Sequence, residues 1–417
     1  MNYKSIFNLL GILLVIFSLS FLPPLILSIF YAEPLSGIFL NSFLFLITLG
    51  FLMWFASRQK NLPLNISDGF IITTMFWVVL ACAGSIPFYF FGLNANDAIF
   101  ESVSGITTTG ATVIVGLDEL PKSLLLYRQL LQWIGGMGLI ILAVAVMPTL
   151  GIGGGQLYKM ELPGSHGNQK LTPKITDSAK ALWKIYFGLT IICALLYLLS
   201  GMNLFDAIAH SLSTVAGGGF STHDDSIGFF DSGLIEAVCI IFMLLSAASF
   251  AVHYAAIFGG KPLKYFYDSE FRFFLSVVIS IAIVILIFHT VNDSYAEFLL
   301  TLRTSIFHTV SIVTTSGFTT ENFSLWPSFL PYLLLVGAFM GACSQSVGGG
   351  IKTWRVLIMV KQAYKEILNI IHPNAVLSSK IGNKVIDSKI AEKVWGFFSI
   401  YVLSLIHISE PTRLAII

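Results

Sequence analysis

A chain of 417 residues that is 56% hydrophobic and 11% charged, where a soluble domain carries about 25% charged residues, is an integral membrane protein. Its mean hydropathy of +0.84 says the same. The net charge of +1 says nothing about nucleic acid, and no basic tract or recognition motif suggests it. Four cysteines (Cys82, Cys193, Cys239 and Cys343) lie inside apolar runs without paired spacing, which favours core packing over a disulfide framework or a zinc site.

A membrane span needs about 20 mostly apolar residues, and the chain offers candidates at 7–30, 36–57, 69–92, 123–148, 178–200, 232–258, 271–290 and 328–370, the last long and broken. The first has no small-residue cleavage site and is expected to be a retained helix, kinked at Pro23-Pro24. Between spans three and four, five and six, and seven and eight lies a stretch that the chain repeats. Aligned without gaps on Gly110, Gly219 and Gly317, the stretches carry Ser104, Ser213 and Ser311 six residues earlier. Eight earlier stand Ser102, Ser211 and Thr309; nine earlier stand the polar Glu101, His210 and His308; eleven earlier stand Ile99, Ile208 and Ile306. Thr112, Ser221 and Thr319 follow two residues after the glycine. A period this long marks a structural module. Each stretch opens with an apolar half too short to cross a bilayer, so the module reads as helix, re-entrant pore loop, helix. Irregular backbone at membrane depth is tolerated only against protein or a wet cavity.

Lys and Arg set the orientation. Arg58 and Lys60, then Lys159, Lys170, Lys174, Lys180 and Lys184, then Lys261, Lys264 and Arg272, then the many cations from Lys352 onward share one side. Asp118, Glu119, Asp224, Asp225, Asp231, Asp293, Glu297 and Glu321 share the other. The alternation predicts a cytoplasmic N-terminus and pore loops entering from outside.

Moving a small cation through a membrane requires oxygens that replace its hydration shell, and rings of backbone carbonyls do so in selectivity filters. Glycine reaches the φ/ψ values that aim such carbonyls, and short hydroxyl side chains add oxygens. Thr107, Thr108, Thr109 and Gly110 have this composition, as do Val215, Ala216, Gly217, Gly218 and Gly219, and Val313, Thr314, Thr315, Ser316 and Gly317. These are the candidate cation-binding filter residues. The half-helices aim partly negative C-terminal ends at them, and Asp118, Asp224, Asp225 and Glu321 would concentrate cations at the mouth. Isolated Gly/Ser/Thr strings are also common at packed membrane-helix interfaces; three gapless copies in matching positions favour the filter.

The strings SGITTTGAT, STVAGGGFSTHD and TTSGFTTENF, followed by GACSQSVGGGIKTWR, resemble the TrkH family of bacterial potassium-uptake proteins over residues 1–406. The resemblance implies an all-α membrane protein: two leading transmembrane helices, then repeated helix–pore loop–helix units in a pseudo-fourfold arrangement, the fourth incomplete here. It also implies a homodimer of the bacterial inner membrane and a cytoplasmic nucleotide-binding regulatory subunit (TrkA-like). The family's fourth filter, of N-x-G-P-G type, is absent from the string. A single glycine per loop points to looser discrimination against sodium than a longer glycine-tyrosine-glycine signature gives. Gly341, Ser344, Gln345, Ser346, Gly348, Gly349, Gly350 and Lys352 fall midway through span eight and should unwind it. They resemble the family's intramembrane gate loop, with Lys352 as a positive barrier; the plain alternative is a kinked, closely packed helix.

The expected division is two leading helices (1–60), pore units at 61–150, 151–260 and 261–370, the start of a fourth at 371–406, and a non-native tail at 407–417. The tail is expected because the apolar run 394–406 is short and HISEPTR follows it, as in a truncated or misjoined frame. His210, His223, His253 and His308 form no H-E-x-x-H motif, and a structural role behind the filter is expected for the repeated pair. The GIGGG run at 151–155 lacks the Lys-Ser/Thr of a phosphate loop and reads as a flexible exit from span four. The function expected is potassium uptake, with no covalent cofactor and no enzyme chemistry; potassium is the transported ion. The competing reading is a secondary cation transporter with alternating access, which would carry inverted repeats where these run parallel.

Overall fold

The computed structural model describes residues 3–57, 66–138, 175–292, 297–327 and 329–409, apart from 376, 379 and 383. Arg58, Lys60, the end of span four, the GIGGG run, Lys159, Lys170, Lys174, Asp293 and residues 410–417 fall outside the described residues.

The leading pair is α1 (Tyr3–Ser18) running into α2 (Leu22–Phe30), followed by α3 (Ser36–Ala56). A tight turn at Leu19–Phe21 separates α1 from α2, and Pro23-Pro24 sit in the first turn of α2, where a missing N–H costs no helix bond. The α1–α3 crossing is close because glycine meets glycine. A Cβ on Gly11 would lie 2.7 Å from the Gly50 carbonyl oxygen, so nothing larger fits.

Unit one comprises α4 (Ile66–Gly84) with α5 (Ile86–Phe91), the half-helix α6 (Ala95–Ile106), and α7 (Lys122–Gly136). Unit two comprises α8 (Ile175–Leu199), the half-helix α9 (Leu204–Ala216), and α10 (Gly233–Ala247) with α11 (Phe250–Ile257). A short α12 (Lys264–Tyr267) leads to unit three: α13 (Ser269–Val291), the half-helix α14 (Phe298–Val313), α15 (Leu330–Met340), and α16 (Thr353–Ile371). The chain then makes a two-residue antiparallel ladder, β1 (Lys380–Ile381) with β2 (Lys384–Val385), and α17 (Ser388–Ser409). Among the described residues six helices are long and apolar enough to cross a membrane, or seven with the bent α10–α11 pair taken as one.

One expectation needs correction. Span six is not one helix over 232–258. It breaks at Ala248-Ser249 with a bend of 102°, and Ser249 caps the new helix by accepting from Ala251 N. The apolar run 394–406 lies within α17, which starts at Ser388 and continues through His407 to Ser409. Between α16 and α17 the short β1–β2 ladder closes around Gly382 at φ 57°. Span eight breaks over 341–352, as the glycine run predicts.

The interior forms two main apolar clusters. One joins the leading helices to unit one through Phe21, Phe39, Phe88 and Tyr127. The other joins units two and three through Tyr186, Phe274, Phe307 and Phe318. Helix α7 of unit one packs on the second half-helix α9 across the line between these clusters, and it is there that the polar groups gather.

Candidate functional site

Each of the first two half-helices begins with the same cap. The Asn94 side chain accepts from Asp97 N at 2.9 Å and Asn203 accepts from Asp206 N at 2.9 Å, each in an Asn-x-x-Asp box. Glu297 precedes the third, which starts a turn earlier and lacks the box. All three end the same way. The amide one residue before the glycine bonds the carbonyl of the repeated serine: Thr109 to Ser104 at 2.9 Å, Gly218 to Ser213 at 3.0 Å, Ser316 to Ser311 at 2.9 Å.

The backbone then alternates in hand. Thr108, Gly217 and Thr315 take φ of 55°, 63° and 62°, and two residues on Gly110, Gly219 and Gly317 take 80°, 78° and 84°. A threonine held left-handed costs about 1–3 kcal/mol, so the strain at Thr108 and Thr315 marks these turns as built for a purpose. Among the described residues nothing donates to the carbonyls of Thr108, Thr109, Gly110, Gly217, Gly219, Thr315, Ser316 and Gly317. Backbone acceptors are nearly always paired in folded proteins, and this many unpaired in one place is unusual.

The turns adjoin in order. A Cβ on Gly110 would stand 2.1 Å from the Gly218 carbonyl oxygen, and one on Gly219 would stand 1.8 Å from that of Ser316. At Gly317 nothing lies within 4 Å among the described residues. Phe220, next after its glycine, sits under the Arg128 guanidinium at 4.3 Å, and Phe318 packs on His210 with ring centres 6.3 Å apart. The second and third turns thus each lean on the unit before, and the three turns follow one another in chain order.

Groups behind the turns hold them. Glu101, His210 and His308 clamp the exit strand of their own repeat. Glu101 accepts from Thr112 Oγ1 at 2.9 Å and Val113 N at 3.2 Å. His210 Nε2 meets Ser221 Oγ at 2.9 Å while its Nδ1 faces Asp206 O at 3.0 Å. His308 Nδ1 likewise faces Thr304 O at 3.1 Å, so Nε2 is free to accept from Thr320 N at 3.4 Å. This is the structural role expected of the repeated pair. His253 bonds Tyr265 Oη and Leu245 O, and no cluster of three metal-ligating side chains exists among the described residues.

Residues that sequence reasoning missed tie unit to unit. Arg128 on α7 pairs with Glu101 at 2.7 Å, both fully buried, and reaches Ser221 O at 3.2 Å in the second repeat. One turn on, Gln132 donates to Gly218 O at 2.7 Å and accepts from Ser213 Oγ and Phe220 N. One lone pair of the Gly218 carbonyl is therefore committed to α7. Between units two and three, Arg303 makes two bonds of 2.6 Å to Glu236. Charged and amide side chains inside apolar helices were the available signal.

The 341–352 segment lies against the third turn. Gly349 N donates to Thr315 Oγ1 at 2.6 Å, and a Cβ on Gly348 would stand 2.8 Å from Thr314 O. Val347 comes within 3.6 Å of the Cβ position of Gly217. Glu270 anchors the segment by accepting from Ser344 N and from Trp354 N at 3.1 Å, and Gln345 O accepts from Phe250 N at the bend of span six. Gly341, Gln345, Gly350 and Lys352 all have positive φ. Lys352 turns its ammonium back onto Ser346 O and Gly348 O, so it fastens the loop's own carbonyls.

Of the expected mouth residues, Asp118 bonds His223 Nδ1, and Asp224 accepts from Gly116 N and Leu117 N at 3.1 Å. His223 also bonds Asp206 at 3.2 Å and stacks on Phe229 at 3.5 Å. Burial alone would lower its pKa, but the bonds and charges of Asp206 and Asp118 outweigh that and raise it above the usual 6.5. Glu321 accepts from Trp326 Nε1 at 2.6 Å.

A sequence model of the TrkH family, described as a cation transport protein, matches residues 36–411. A Trk system potassium uptake protein TrkH from Halomonas elongata is 48% identical over 406 residues, 97% of this chain and 84% of that protein. The Escherichia coli K12 protein of the same name is 44% identical, over 97% of this chain and 85% of its own length. The crystal structure of the potassium transporter TrkH from Vibrio parahaemolyticus superposes with a TM-score of 0.87 at 44% identity, covering 97% of this chain and 84% of that one.

Proposed function

The chain belongs to the TrkH family of cation transport proteins, and from that premise we propose that it takes up potassium through a filter made by the three turns. It is a transporter and not an enzyme; potassium is its cargo, and the function needs no cofactor. The observation that carries the filter is the set of unpaired carbonyls on three adjoining turns of alternating hand. Oxygens of this kind replace the water that potassium gives up. The half-helices end at the turns, and their C-terminal partial charge favours a cation there. The filter comprises 107–110, 215–219 and 313–317, with Gly218 sharing its oxygen between α7 and the ion path.

Beneath it, 341–352 is the gate. Its contacts with Thr314 and Thr315 put it directly against turn 3, and its positive-φ residues let the backbone refold without breaking α15 or α16. Two copies pair in the inner membrane, and a cytoplasmic nucleotide-binding subunit acts on the gate from the side carrying Lys261, Lys264, Arg272 and Lys361. The N-terminus lies on that same side. The units divide at 61–150, 151–260 and 261–370, with a fourth beginning at 371.

The test is growth of a bacterial strain lacking other potassium uptake, at low potassium, with tracer rubidium uptake measured in parallel. Rescue is expected when the chain is expressed with its regulatory subunit. Absence of both growth and tracer uptake, with the protein present in the membrane, would remove the proposal.

A further inference from the structure

Turns 1 and 3 brace themselves from within. Thr107 Oγ1 bonds Thr109 Oγ1 at 2.8 Å, and Thr314 Oγ1 bonds Ser316 Oγ at 3.0 Å, pairing the residues three and one before the glycine. Turn 2 has Ala216 and Gly218 in those places and no hydroxyl at either. Gln132 fills the deficit from outside. Its carboxamide occupies the volume a side chain at 218 would need: a Cβ there would stand 2.4 Å from Gln132 Cδ and 2.5 Å from its Oε1. From that position it bonds Gly218 O at 2.7 Å, Ser213 Oγ at 2.6 Å and Phe220 N at 3.1 Å, thereby gripping the half-helix, the turn and the exit strand at once. Gln132 is fully buried, so none of these bonds has water as an easy substitute.

We propose that Gln132 is the positioning residue for ion discrimination at turn 2, replacing from α7 the hydroxyl pair that turns 1 and 3 carry internally. This rests on the filter reading above. A carbonyl ring separates potassium from sodium only while its oxygens resist closing around the smaller ion. Turn 2, with glycine at three successive positions, has the least stiffness of its own. Gln132 supplies it.

The experiment compares rubidium and sodium tracer uptake by the full chain, with its regulatory subunit, in the uptake-deficient strain. Gln132→Met keeps the side-chain volume and removes all three bonds. It should lower rubidium-over-sodium discrimination by roughly threefold to tenfold, the loss expected from about one net hydrogen bond. Gln129→Met, three residues earlier on α7 and equally buried, should leave discrimination unchanged. A216T/G218S in a Gln132→Ala background restores hydroxyls at both positions, the one at 218 in the space Gln132 vacates, and should recover much of the lost discrimination. Unchanged discrimination in Gln132→Met, an equal fall in Gln129→Met, or no recovery in the triple variant each overturns the assignment. If Gln132→Met fails to reach the membrane, the triple variant decides: it must restore both membrane level and discrimination. Gly219→Ala separates the two readings. Loss of uptake there with unchanged discrimination in Gln132→Met sinks the role of Gln132 alone; normal uptake in Gly219→Ala sinks the filter itself.

Discussion

Turns 1 and 2 share a backbone signature and differ in what surrounds them. Turn 2 has a neighbour on each flank, and residues 211–218 are buried throughout. Turn 1 has turn 2 on one side, while Thr107 and Thr109 are exposed on the other. Turn 3 mirrors this, with Ser316 buried against Gly219 and Gly317 exposed. The difference teaches that glycine is required at these positions for two separable reasons. All three glycines need a positive φ, but among the described residues only Gly110 and Gly219 also lie under a neighbour's carbonyl. The ring, and not the turn alone, sets the steric demand.

The largest effect should therefore come from Gly219→Ala. The added Cβ meets Ser316 O at 1.8 Å on top of the φ penalty, and tracer uptake should vanish. Among the described residues Gly317→Ala meets only the backbone penalty, about 1–2 kcal/mol, and should retain measurable uptake. An equal loss at the two sites would break the comparison by revealing a further neighbour against turn 3.

Next come the ties between units. Arg128→Met leaves Glu101 buried without its cation, a change that costs about 3–5 kcal/mol. Thermal unfolding in detergent should show a large fall, and E101M/R128M should be less damaged than Arg128→Met alone. The Glu236–Arg303 pair joins units two and three, but the Arg303 side chain is 29% exposed and also faces Asp231. Glu236→Gln should therefore cost only about 1–2 kcal/mol in the same assay. Equal losses at the two pairs would mean that burial does not separate them.

The smallest effect is the pH dependence of His223, which joins the outer segment of unit one to the second half-helix. Its folded pKa is raised, so the attraction to Asp118 and Asp206 is fully present below the usual value of 6.5. It is lost as the pH climbs through the raised value. Melting temperature should drift down over that interval in the wild type, and the drift should shrink in His223→Gln. A drift of the opposite sign would reassign the charge state.

The repeat itself, the three turns and the break in span eight could be read from residue types, because φ preference and bilayer length act locally. The clamps at Glu101, His210 and His308 were half legible: their shared position was visible, but their partners two and three residues past the glycine emerged only once the strand folded back. Arg128, Gln132 and Glu236 were not picked out, since each acts on a different repeat and spacing along the chain carries no trace of that. The 102° bend in span six escaped for a similar reason. Ala248-Ser249 contains no helix breaker, and what favours the bend is the Gln345 carbonyl accepting from Phe250 N across the fold.

The central claim is that carbonyls from three turns share one ion path. Anomalous diffraction from crystals of the full-length protein grown in rubidium addresses it directly. The account predicts rubidium density between the turns, within coordination distance of oxygens from Thr108, Gly217 and Thr315 together. Density confined to one turn, or lying away from all three in a protein that still transports, would contradict it.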